Sequence, residues 1–106
     1  MPALQGLHHF GLTVTDVERS ARWYEDVLGL VEHRSSSTTR FDETSPGLDH
    51  LSFAVANRAE LEHWCARLDD HGVERSPIAR ARSFPGAFVV VFRDPDNIQL
   101  EFFVET

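Results

Sequence analysis

The chain repeats itself. At an offset of 41 residues, His9-Phe10-Gly11-Leu12-Thr13-Val14 falls on His50-Leu51-Ser52-Phe53-Ala54-Val55, Thr15-Asp16 meets Ala56-Asn57, and Trp23 meets Trp64. The two halves share one design, each a supersecondary unit that needs its neighbour to bury an apolar face. With 106 residues the protein has room for a single domain of two half-modules around one core, 1–47 and 48–106.

Each copy reads as a strand followed by a helix. Phe10, Leu12 and Val14 alternate with His9, Gly11 and Thr13, and Leu51, Phe53 and Val55 alternate with His50, Ser52 and Ala54. This is the period of a sheet with one covered face. The spacing then turns helical, with stripes Val17, Ala21, Tyr24, Leu28 and Leu61, Trp64, Cys65, Leu68. Asp16 and Asn57 suit the N-caps, and Gly29 and Gly72 the C-terminal stops. Beyond the second helix, Val73–Ser76 reads as a short strand, 80–85 as loop, and Phe88–Arg93 as a strand buried on both faces. Asp94-Pro95-Asp96-Asn97 is a turn, and Ile98 to Val104 alternates again, with Gln99, Glu101 and Phe103 on the uncovered side.

Composition removes several function classes. The net charge of −7 argues against a general grip on nucleic acid or anionic membrane. All ten basic residues are arginines, so neither a Schiff-base lysine nor a phosphate-loop lysine is available. A lone cysteine, Cys65, on an apolar helix stripe reads as a core thiol in a reducing, cytoplasmic setting, and no apolar run is long enough to span a membrane.

The histidines carry the candidate chemistry. His9 and His50 occupy equivalent places on the uncovered faces of repeated strands, and Glu101 has the same parity on the last strand. If the sheet curls into a cup with helices outside, the three converge within it. Two imidazoles and a carboxylate with positions left open suit a divalent metal such as Zn, Ni, Fe(II) or Mn. The alternative is three unrelated polar residues on a solvated sheet face. His8 points by parity toward the helices, and His63 and His71 read as exposed helix residues. Phe92 and Phe103 are core or cavity lining, while Arg80, Arg82 and Arg93 read as solvated charges rather than a carboxylate clamp.

At these residues the chain resembles the vicinal oxygen chelate superfamily, which includes glyoxalase I, extradiol dioxygenases, and bleomycin and fosfomycin resistance proteins. His9 to Asp16 with Trp23 to Gly29 is similar to its opening strand and helix, Leu48 to Val55 to the start of its second module, and Asp94 to Glu101 to its closing turn and strand. Asn97 replaces the usual glycine, and both tolerate positive φ. The resemblance implies an α+β fold in which paired βαβββ modules form a curled mixed sheet, a cup with helices on its outer face. It carries metal-ligand roles onto His9, His50 and Glu101. It also implies a fourth ligand on the last strand of the first module, for which Glu32, 18 residues before His50, is the candidate. Otherwise Glu32 faces solvent, and His33 is either bland or the ligand.

By the same resemblance, the expected activity is that of a glyoxalase-type, lactoylglutathione lyase-like enzyme. It would stabilise an enediolate of a small vicinal-oxygen substrate, with Glu101 or Glu32 as the base. An Fe(II) extradiol dioxygenase comes second, lacking a suitable tyrosine because the only one, Tyr24, lies in the first helix. A non-catalytic drug- or small-molecule-binding protein is the third reading, against which stand the retained ligands. A homodimer is expected from the apolar sheet faces of two small modules. The first module is also short. Leu30 to Gly47 leaves 18 residues where three strands with turns need roughly 22 or more, so two strands are missing between Gly29 and Phe41. Either the first module is truncated or the sequence joins two segments across an absent stretch.

Overall fold

The computed structural model describes residues 1–5, 9–30, 41–44, 46–82 and 84–105; His8, Glu32 and His33 therefore lie outside the described residues. The second half folds as a complete strand–helix–three-strand unit. It comprises β1 (Leu51–Ala54), α2 (Arg58–Asp70), β2 (Ala79–Arg80), β3 (Phe88–Arg93) and β4 (Gln99–Val104), preceded by α1 (Val17–Trp23) from the first half. The sheet runs β1-β4-β3-β2, with β1 parallel to β4 and the other pairs antiparallel. Among the described residues it is a mixed, open four-stranded sheet with the helices on one face, the α+β arrangement expected.

Alternation sets the two faces. Leu100, Phe102 and Val104 of β4 and Val90 and Phe92 of β3 are buried against Leu61, Cys65 and Leu68 of α2, with Tyr24 and Val27 in the same cluster. Gln99, Glu101 and Phe103 therefore face the other way and stay half-buried, as expected. Both helix starts also follow the sequence reading. The Asp16 side chain accepts from Arg19 N at 3.1 Å and the Asn57 side chain from Glu60 N at 2.9 Å. The first helix ends in a π-helical turn over Tyr24–Leu28, closed by Gly29 at φ 72°. There Arg67 of α2 donates to the carbonyls of Val27 and Asp26 at 2.8 and 2.7 Å, placing a cation on the negative end of the helix.

Three expectations are corrected. First, residues 9–14 form no regular strand and carry one isolated bridge at Val14. Val14 is buried and Leu12 half-buried as the alternation requires, and the Phe10 ring sits 6.3 Å from Phe53 of β1. A strand exists only through pairing, and the pairing strands of the first module would fall in a segment that is short and mostly outside the described residues. Second, Ala79–Arg80 is a strand where 80–85 reads as loop. Arg80 pairs with Phe88 in register and its guanidinium lies 5.7 Å over that ring. Third, β3 buries one face fully, leaving Val89, Val91 and Arg93 half-exposed. Val73–Ser76 contributes a single bridge, Arg75 to Phe92.

The closing turn does more than reverse the chain. Asp94 and Asp96 are only 5% and 3% exposed, and both bond to the first helix. Tyr24 Oη donates to Asp94 Oδ2 at 2.8 Å, and Ser20 Oγ to Asp96 Oδ2 at 3.1 Å. Thr15 donates to Asp96 through both its amide and its hydroxyl. Asp94 also accepts from the amides of Asp96 and Ile98, at 2.9 and 2.7 Å, while Asn97 takes φ 70° to close the turn. Burial pushes the Asp94 carboxyl above its ordinary range and the Tyr24 hydroxyl far above its own.

Candidate functional site

Where the core takes Leu51, Phe53, Leu100 and Phe102, parity sends His50 and Glu101 to the opposite, open face of the sheet. β1 and β4 are parallel neighbours with Ser52 in register with Glu101. His50, just before β1, thus has its Nε2 3.6 Å from Glu101 Oε1. Its other nitrogen, Nδ1, lies 2.6 Å from Asp49 Oδ2. A carboxylate only accepts, so this contact puts a proton on Nδ1; in the neutral ring Nε2 then turns a lone pair toward Glu101, and in the imidazolium it turns a second N–H there. With the ring neutral, the Nε2 lone pair and the Glu101 carboxylate oxygen are two metal-donor atoms on one side of the sheet.

That donor set fits a divalent metal. Two ligand atoms bound at roughly 2.0–2.2 Å lie about 3–3.6 Å apart at ordinary coordination angles, and the observed separation falls at the upper edge. Glu101 is 14% exposed and His50 39%, so the pair is sheltered on one side and open to an incoming ligand on the other. His9 lies exposed in the irregular N-terminal segment. Among the described residues no three His, Cys, Asp or Glu side chains gather closely enough to hold a metal, so His9 does not join His50 and Glu101 here. Among the described residues, positions 9–14 form no ladder with β1 that would set the register of His9 against it. Glu32 lies outside the described residues.

Arg93, read from sequence as a solvated charge, is engaged. Its guanidinium grips Glu43 at 2.9 and 3.2 Å and also donates to Gln99 Oε1 and the Asn97 carbonyl, both at 3.0 Å. The arginine holds Glu43 below its usual carboxylate range and pins residues 41–44 to the turn, where Phe41 N also donates to the Asp96 carbonyl at 3.3 Å. A cavity of about 420 Å³ opens between Gly11, Leu12, Thr13, Phe41, Leu48 and Ile98, and includes neither His50 nor Glu101. Phe92 is core, whereas Phe103 stands on the open face against Phe84, ring centres 5.1 Å apart. Cys65 is a buried thiol pushed above its ordinary range by that burial. His63 and His71 are exposed, as expected.

The family model described as "Glyoxalase/Bleomycin resistance protein/Dioxygenase superfamily" matches this sequence over residues 6–45 and 31–102. The chain belongs to that superfamily. Among solved structures, the glyoxylase/bleomycin resistance protein/dioxygenase domain from Frankia sp. EAN1pec is 33% identical, with a TM-score of 0.83 over 98% of this chain and 100% of that one. The fosfomycin resistance protein FosX from Listeria monocytogenes has 20% identity and a TM-score of 0.70 over 98% and 96% of the two chains. Lactoylglutathione lyase from Agrobacterium tumefaciens has 16% identity and a TM-score of 0.67 over 97% and 96%. At those two identities the likeness is one of fold. No helix among the described residues is long and apolar enough to cross a membrane.

Proposed function

We propose that the protein is a metal-dependent, glyoxalase-type enzyme that isomerises a small substrate bearing two neighbouring oxygens. The observation that carries this reading is the juxtaposition of His50 Nε2 and Glu101 Oε1 on the open sheet face. His50 and Glu101 would hold the cation, with His9 and Glu32 from the first half as the remaining ligands. A bound divalent metal, Zn, Ni, Fe or Mn, supplies Lewis-acid stabilisation of the negative charge that develops on the two substrate oxygens. Glu101, once displaced from or loosely held by the metal, would remove the C–H proton from one substrate carbon and return it to the adjacent carbon, so the reaction is an isomerisation with no net redox change. Glu32 is the alternative base. The extradiol dioxygenase reading loses ground because Tyr24 lies on the helix side of the sheet, opposite Glu101, with its hydroxyl committed to Asp94.

The test is isomerisation of a hemithioacetal by protein stripped of metal and reloaded separately with Ni, Zn, Mn or Fe(II). Turnover with one of these, lowered roughly 10²–10⁴-fold by Glu101→Gln, is expected. Absence of turnover with every metal, or an unchanged rate in the variant, contradicts it.

A further inference from the structure

The contact on the far side of His50 points to a role for its neighbour in the chain. We infer that Asp49 is a positioning residue, fixing the ring orientation and tautomer of His50 so that Nε2 is delivered as a metal donor. This rests on the reading of His50 as a ligand. The geometry is that of a carboxylate–histidine relay: Asp49 Oδ2 to His50 Nδ1 at 2.6 Å, then His50 Nε2 to Glu101 Oε1 at 3.6 Å. A histidine whose rear nitrogen is held by a carboxylate presents the other as a lone pair of raised basicity, and loss of such a partner weakens metal binding about 10–100-fold. Asp49 also lies in the field of the Arg93 guanidinium, whose hydrogen bonds go to Glu43, Gln99 and the Asn97 carbonyl. The Asp49 side chain is 71% exposed, and among the described residues it hydrogen-bonds His50. His50 needs such a partner because it precedes β1 and so lacks the flanking strand that orients Glu101. A histidine just outside a strand has free rotation about χ1 and χ2, and a charge-assisted hydrogen bond removes much of it.

Two measurements test this. In the metal-free parent protein, long-range ¹H–¹⁵N spectra recorded alkaline to the histidine titration should show His50 as the Nδ1–H tautomer; an Nε2–H tautomer overturns the inference whatever the variants do. Zinc affinity, by competition with a coloured chelator, is then compared among the parent, Asp49→Ala, Asp49→Asn and His50→Ala. Asp49→Ala should weaken zinc about 10–100-fold, and Asp49→Asn, whose amide oxygen still accepts from Nδ1–H, should restore most of it. His50→Ala should weaken it further than Asp49→Ala. Loss in His50→Ala with parental affinity in Asp49→Ala overturns the role of Asp49 and leaves the metal site standing. Parental affinity in His50→Ala overturns the metal site, and this inference with it.

Discussion

The hydroxyl of Tyr24 donates to Asp94 Oδ2 at 2.8 Å, joining the first helix to the turn before the last strand across 70 positions of sequence. Both partners are buried, so neither can exchange this bond for water. Removing the hydroxyl in Tyr24→Phe should cost about 1.5–3 kcal/mol, the range for a hydrogen bond to a charged group. Asp94→Ala should cost more, because it also orphans the amides of Asp96 and Ile98. Urea unfolding measures both. Equal and negligible losses would show the latch to be idle.

Acid titration should separate two kinds of carboxyl. Asp94, raised by burial, holds its proton in the fold to higher pH than in the unfolded chain. Its stabilisation is present below the ordinary aspartate range and is lost as pH rises through the raised value. Asp69, lowered by its two hydrogen bonds to Arg75 at 2.8 and 2.9 Å, behaves oppositely. Its stabilisation is present above the ordinary range and lost as pH falls through the lowered value. Urea midpoints followed from pH 7 to about 3 should therefore fall less steeply in Asp69→Asn than in the parent, and more steeply in Asp94→Asn.

Much of this fold is legible in the sequence, because the chain punctuates itself. Alternation in Ile98 to Val104 fixes which side chains enter the core, and so places Glu101 on the open face; the same parity places His50. Asp16, Asn57, Gly29, Gly72 and Asn97 all take the capping or turn roles their chemistry suits. Tertiary choices are not legible. Arg93 reads as solvated because Glu43, its partner, is 50 residues away and belongs to no regular element. The paired aspartates of the turn read as turn formers, although Tyr24 and Ser20, four apart on a helix, are a signal for polar groups facing inward. Strand pairing over 9–14 needs partners that the alternation alone cannot supply.

Arg93→Ala should loosen residues 41–44 without unfolding the protein. The Glu43 pair is partly exposed and screened, so its loss should leave global stability close to the parent's. Amide exchange at Phe41 and Thr44 should quicken in the variant, and also in the parent at high salt. Exchange unchanged at both positions would mean that the segment is held by something else.

A second copy of the chain is expected to pack on the open sheet face, with the His50–Glu101 site between the two copies. Val89, Val91 and Phe103 are only half-buried there, and Phe84 beside them is 54% exposed. The radius of gyration, 14.7 Å, exceeds the roughly 13 Å of a compact chain of this length. Sedimentation at micromolar concentration should show a dimer, shifted toward monomer by Phe103→Glu. A monomeric parent would contradict this.

Metal content decides whether His50 and Glu101 are ligands. Protein reconstituted with Ni or Zn and freed of excess should hold about one metal per chain by elemental analysis, while His50→Ala and Glu101→Gln should each lose most of it. Substoichiometric metal in the parent, or full occupancy in both variants, would contradict their role as ligands.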